Sequence, residues 1–398
     1  MGRTKDLAGA GLQSPTPGGS SPAANPNPTV PGAAPTAQPG PFATVGRLRD
    51  LHPGWLASVM GTAILAVATY LNPGNLDVLR GLAHGLGAGL AVLAYALGVV
   101  LVGAYAVRWT RHTDAALADL RHPVLGAMHA TLPGALLVLA VMTSIVGPEL
   151  LPAGAVTVLV AVLAAAGSVL ALVLSVAFAT AQFTGTPPAT AVNGGWFIPP
   201  VVTIIIAMAL APLVTHASAG GARLLLALGY AAYGMGFLLF LLVLGQLYDR
   251  LVLHPLPPAP LAPTLWIGLG PVGVAVLAPL ALARAGQDLF GAAAPIVALF
   301  SQLAGTAVWG FGLWWLALAL TLLVRYLRTG PLPFHLGWWA FTFPLGAFAV
   351  ATLTLARAWQ TSALEGVGVV LYLMLVGFWV VVAARTIAAT RAGRIWAR

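Results

Sequence analysis

The sequence predicts an all-α polytopic membrane protein. Ten transmembrane helices are expected as five helical hairpins in a quasi-fivefold ring, with the odd-numbered helices lining a central pore. Three observations lead there. Of the 398 residues, 59% are hydrophobic and only 7% charged, where a soluble domain carries about 25% charged residues. Ten apolar segments each reach roughly the 20 residues that cross a bilayer. Proline falls inside the third, fifth, seventh and ninth segments and just before the first, and stays out of the interiors of the even ones.

The first span, 55–71, follows Pro53 and holds Gly61 and Thr62. The second, 82–107, has no proline and carries His84 near its start. The third, 124–146, contains Gly126, His129, Thr131, Pro133 and Gly134. The fourth, 153–180, starts after Pro152. The fifth, 196–213, carries Pro199, Pro200 and Thr203, and the sixth, 222–248, has no proline. The seventh, 265–284, holds Gly268, Gly270, Pro271, Gly273 and Pro279. The eighth, 292–324, has Pro295 at its start, where proline is tolerated, and is long enough to tilt or project into the interface. The ninth, 336–356, holds Phe341, Thr342, Phe343 and Pro344. The tenth, 362–387, is proline-free.

Proline removes a backbone hydrogen bond and kinks a helix. In lipid the freed carbonyl is tolerated only against protein or a water-filled cavity. The odd spans are therefore expected to form a kinked inner ring and the even spans a straight outer ring facing lipid. Small residues cluster near the odd-span prolines; they serve close packing or leave space at an axis. None of the nine acidic residues falls mid-span. A buried carboxylate is the usual mark of a cation or proton path, so the pattern argues against cation channels and carboxylate-driven antiporters. The lining is expected to be apolar side chains, hydroxyls of Thr62, Thr131, Thr203 and Thr342, and backbone exposed near Pro133, Pro200, Pro271 and Pro344. With a fringe of arginines, such a path suits weakly bound anions.

Of the 18 basic residues, fourteen fall on the side that holds both termini when ten spans are counted: Arg3, Lys5, Arg47, Arg49, Arg108, Arg111, Arg121, Arg250, Arg325, Arg328, Arg385, Arg391, Arg394 and Arg398. Arg80, Arg223, Arg284 and Arg357 fall on the other. The positive-inside rule puts both termini in the cytoplasm of a cell inner membrane. The net charge of +9 thus reads as membrane topology, and no nucleic-acid partner is expected. Three regions follow: a disordered Pro/Gly/Ala/Ser-rich tail over 1–45 without a signal-peptide core, a ten-helix domain over 46–390, and a short basic tail over 391–398. No cysteine is present, which excludes thiolate metal sites and cysteine nucleophiles. No metal, cofactor or enzymatic activity is expected: HExxH is absent, Tyr248-Asp249 lacks its intramembrane protease partner motif, and no serine-protease G-x-S lies within a span.

The densest local signal is Pro333-Phe334-His335-Leu336-Gly337-Trp338-Trp339-Ala340-Phe341-Thr342-Phe343-Pro344-Leu345. Phe343 lies about 10 Å inside an α-helix that begins at Leu336, at 1.5 Å per residue. An aromatic ring there either closes an apolar constriction, which gates by dewetting, or packs between helices. His129, four residues before Pro133, is either a pore-facing group that senses pH or a neutral ring bonded to a neighbouring helix.

This ninth-span run resembles a motif of the tellurite-resistance/dicarboxylate transporter family, which includes malate permeases, sulfite exporters and plant slow-type anion channels. The runs His52 to Thr62, His122 to Pro133, Trp196 to Met208 and Pro263 to Gly273 resemble its first, third, fifth and seventh helices. The resemblance implies the five-hairpin bundle, a homotrimer with one pore per protomer, and a ninth-helix phenylalanine in the pore: Phe343, with Phe341 second. It implies transport of small anions such as chloride, nitrate, sulfite or a C4-dicarboxylate monoanion through a channel. The alternative is a proton-coupled carrier of C4-dicarboxylate, sulfite or tellurite that uses His129.

Overall fold

The computed structural model describes residues 48–393; the tail expected over 1–45, and the end of the chain beyond 393, lie outside the described residues. Ten helices are long and apolar enough to span a membrane: α1 (Pro53–Tyr70), α2 (Asp77–Arg111), α3 (Leu125–Glu149), α4 (Ala153–Gly185), α5 (Gly194–Val214), α6 (Ala219–Leu253), α7 (Ala259–Ala285), α8 (Gln287–Thr329), α9 (Leu336–Trp359) and α10 (Ser362–Arg391). The chain is a multi-pass membrane protein, and no β-strand occurs among the described residues.

Burial divides these helices into two classes, as the prolines foretell. The most apolar windows of the odd helices are 78–89% buried and those of the even helices 17–28% buried. Residues on the even helices such as Val78, Val99, Phe183 and Phe300 stand exposed; apolar faces of that extent need a non-aqueous solvent. The even helices run 30 to 43 residues, longer than the roughly 20 a bilayer requires, so they tilt or project beyond it. Pro152 caps α4, and Pro295 occupies the first turn of the long α-helical part of α8.

Each odd helix packs on the even helix that follows it, which gives five hairpins. The odd helices also pack on one another in sequence: α1 on α3, α3 on α5, α5 on α7, α7 on α9, and α9 back on α1. The inner set is therefore closed in its contacts. Each even helix seals the seam between its own partner and the next odd helix. Lipid gives no hydrophobic drive for such association, so packing and interhelical hydrogen bonds hold it together. Tyr95 of α2 bonds Thr143 of α3, Trp309 of α8 bonds Thr352 of α9, and Trp379 and Tyr372 of α10 bond Thr62 and Thr69 of α1. In each case an outer aromatic reaches the hydroxyl of the next inner helix.

Candidate functional site

Every odd helix is built in two parts. A short opening segment comes first: Pro53–Trp55, Leu125–Met128, Gly194–Phe197, Ala259–Gly268 and Leu336–Phe341. Four of these are 3₁₀ and the second is a single α-turn. An α-helix then runs to the far end: Leu56–Tyr70, Thr131–Val146, Ile198–Val214, Leu269–Ala285 and Phe343–Trp359. Pro133, Pro199, Pro200, Pro271 and Pro344 all fall within the first three residues of these α-helices. The first-turn N–H groups have no intrahelical partner, so a missing N–H costs nothing there. These prolines thus mark where each span passes from its opening segment to its long α-helix, whereas Pro212 and Pro279 lie inside α-helix. The opening segments pack on one another in the same cyclic order as the helices they precede, so five short segments, four of them 3₁₀, are gathered at one end.

Just beyond those opening segments, two apolar contacts join the inner helices, one across α5, α7 and α9 and one across α1, α3 and α5. Phe343 is the first residue of the α-helical part of α9 and is 6% exposed. Its Cε1 lies 3.7 Å from where a side chain on Gly270 of α7 would begin, a point shared with Val201 of α5 and Pro344, each at 3.6 Å. One residue along α5, Val202 shares the space over Gly134 of α3 with Met60 of α1, at 3.0 Å each. Neither contact, Phe343 with Val201 at Gly270 or Met60 with Val202 at Gly134, includes a charged or hydroxyl side chain.

The other residues singled out from the sequence occupy different places. Phe341 sits between α7, α9 and α10, with Trp266 at 5.4 Å, Phe378 at 5.1 Å and Trp338 at 5.9 Å between ring centres. Thr62 accepts the Trp379 indole N–H at 3.1 Å and faces α10. Thr203 donates to the Pro199 carbonyl, Thr342 to that of Trp339, and Thr131 to those of Pro53 and Met128. Gly61 lets α1 approach α9, because a side chain there would overlap Thr342. These hydroxyls are spent between helices and on backbone carbonyls.

His129 is 1% exposed and faces α2, edge-on to Tyr105 and Trp109 with ring centres 6.0 Å away in each case. Its Nδ1 lies 3.0 Å from the Leu125 carbonyl. Beside it, Arg108 is fully buried, paired with Asp119 and donating to the Arg49 carbonyl. Arg250 is also buried, on the Pro255 carbonyl. Two of the boundary arginines are therefore internal ties, while Arg385 lies over the Trp338 ring at 5.2 Å.

One repeated feature escaped the sequence reading. His52 Nδ1 accepts the Gly54 N–H at 2.9 Å, Asn193 Oδ1 accepts the Gly195 N–H at 2.8 Å, and His335 Nδ1 accepts the Gly337 N–H at 3.0 Å. His122 does the same for Val124 and Leu125. His52, Asn193 and His335 are the N-caps of their opening segments, whereas His122 stands two residues ahead of Val124, the N-cap residue in α3. In α1, α5 and α9 the spacing is cap–x–Gly, since any larger residue two places on would strike the capping side chain. Counting eight residues from each cap reaches Met60, Val201 and Phe343, which make the two apolar contacts described above. The signal was legible as His-Pro-Gly-Trp, Asn-Gly-Gly-Trp and His-Leu-Gly-Trp at the heads of three odd spans.

Comparison with known proteins places this architecture among transporters. Residues 50–387 match the family described as voltage-dependent anion channel. An uncharacterized transporter of Methanocaldococcus jannaschii is 31% identical over 340 residues, 85% of this chain and 93% of that protein. A second uncharacterized transporter of that organism is 28% identical over 353 residues, 88% of this chain and 97% of its own length. A sulfite efflux pump of Arthroderma otae is 28% identical over 204 residues, 49% of this chain and 53% of the pump.

Proposed function

Because the chain belongs to the voltage-dependent anion channel family, we propose that it passes small anions along the axis of the inner ring and that Phe343 closes this path at rest. The observation that carries the reading is the apolar contact of Phe343 with Val201 at Gly270, which joins α5, α7 and α9. Phe343 is the bulkiest side chain at that level, and glycine supplies the opposing wall. An ion crosses such a constriction only when water can follow it. Weakly hydrated anions pay least, and no carboxylate lies at this level to repel them. Basic residues at the end where the odd helices begin raise the local anion concentration. That end faces the cytoplasm, on the positive-inside rule. The permeant class comprises chloride, nitrate, sulfite and C4-dicarboxylate monoanions, and the working unit is a homotrimer with a path in each protomer.

The sulfite efflux relative favours a second reading, proton-coupled export of sulfite or a C4-dicarboxylate. His129 would carry the proton, and its Nε2 is buried with no hydrogen-bond partner among the described residues. The test is anion current through purified protein in planar bilayers, wild type beside Phe343→Ala, with chloride, nitrate, sulfite and malate in turn. A rise of tenfold or more in anion-selective current in the variant is expected. Cation-selective reversal potentials would overturn the reading. Current absent from both forms, with pH-driven uptake that His129→Ala abolishes, would establish the carrier.

A further inference from the structure

His335 is held through both ring nitrogens. Nδ1 accepts the Gly337 N–H at 3.0 Å, and Nε2 lies 2.7 Å from the Pro260 carbonyl in the opening segment of α7. One neutral tautomer, with its proton on Nε2, makes both bonds; an imidazolium carries a donor on each nitrogen and must give up the bond to Gly337. The α5 counterpart is an amide. Asn193 has backbone angles φ −149°, ψ 169°, against −153° and 172° for His335, and caps the same position. An amide cap does not titrate. The ring of opening segments thus has a fixed cap on α5 and a proton-sensitive one on α9, at the head of the segment that leads to Phe343.

Few other charges bear on this group. His52, at the head of α1, caps Gly54 on the opening segment that packs against Leu336–Phe341. Arg385 of α10 lies over Trp338. Among the described residues no carboxylate is paired with His335.

We propose that His335 is a proton-operated latch: neutral, it ties the opening segment of α9 to that of α7; protonated, it frees the Gly337 amide and loosens the segment that positions Phe343. The link to conduction rests on the channel reading above, but the latch itself does not. Burial holds the His335 imidazole below the ordinary histidine value of 6.5. The neutral cap therefore contributes its full stability above that value and loses it as pH falls through the range beneath it. Release belongs to mild acid on the side where the odd helices begin.

Hydrogen–deuterium exchange of the 333–341 segment in the full-length protein tests the latch, at about pH 5 and pH 7.5, corrected for intrinsic exchange. In wild type, protection at Gly337 should fall about fivefold in acid, the loss typical of a broken N-cap. His335→Asn should stay protected at both values, and His335→Ala should be unprotected at both. In the bilayer, acid on that side should raise wild-type current and leave His335→Asn unchanged. Equal pH responses of wild type and His335→Asn in exchange would overturn the latch. The exchange pattern as stated, with no anion current from any variant including Phe343→Ala, would keep the latch and overturn the channel reading.

Discussion

Two residues separate packing from permeation. The Thr62 hydroxyl accepts the Trp379 indole N–H of α10. Thr62→Val should cost about 0.6 kcal/mol, the mean for an interhelical hydrogen bond in a membrane protein, and lower the melting temperature in detergent slightly. Anion selectivity in the Phe343→Ala background should not change, whereas a shifted permeability ratio would put the hydroxyl in the path. Asp119 makes the opposite kind of contribution. Its partner Arg108 has no exposed surface, so Asp119→Asn leaves a buried guanidinium uncompensated. The expected loss is about 3–5 kcal/mol, read as a large drop in thermal stability. Arg108→Met combined with Asp119→Leu should recover most of it, because a buried ion pair is costly to break and cheap to replace. A double variant as unstable as Asp119→Asn would mean the pair carries more than its own charges.

At the scale of the helix, Gly270 and Gly273 on α7 make a matched pair. A side chain at Gly273 would begin 2.5 Å from the backbone of Ala347 on α9, whereas one at Gly270 meets Val201, Phe343 and Pro344 at ordinary contact distance. Gly273→Ala should destabilise the bundle by about 1–3 kcal/mol through overpacking. Gly270→Ala should keep its stability and reduce the current gained in Phe343→Ala. Equal melting temperatures for the two variants would sink the assignment of Gly273 to a backbone contact. The same helices show what could be read from the chain. The alternation of buried and lipid-facing spans followed the prolines, but for a different reason from the kink expected: Pro133, Pro200, Pro271 and Pro344 stand in the first turn of the α-helix that follows each opening segment, where no intrahelical N–H is lost. The opening 3₁₀ segments were not legible, since Leu336–Phe341 is as apolar as the helix after it and period alone does not separate 3₁₀ from α. One consequence is depth: at the ~2.0 Å rise of 3₁₀ helix, Phe343 stands about 14 Å from Leu336, where α-helix throughout would give about 10 Å. Which hydroxyls face inward was also out of reach. A threonine mid-span looks the same whether an indole awaits it from the next hairpin or not, and Trp379 lies 317 residues from Thr62.

For the whole molecule, charge and fold make one statement about orientation. Nine of the described arginines lie at the end where the odd helices begin: Arg49, Arg108, Arg111, Arg121, Arg250, Arg325, Arg328, Arg385 and Arg391. The other end holds Arg80, Arg223, Arg284 and Arg357. Two of these four are matched by carboxylates, Arg80 by Asp77 and Arg357 by Glu365. The field that gathers anions therefore sits at the end with the opening segments, and so does the His335 cap. On the proposed channel and latch, anions are drawn towards the face that senses acid, so inverting the protein in a bilayer should reverse both the rectification and the side from which pH acts. The chain has no cysteine, so its orientation can be read against an empty background. Thr190, exposed before α5, and His216, exposed after it, lie at opposite ends of the bundle. In intact cells a membrane-impermeant maleimide should label His216→Cys and spare Thr190→Cys until the membrane is opened. The reverse pattern would place the arginine-rich end outside, contradict the positive-inside assignment, and make the His335 latch a sensor of external acid.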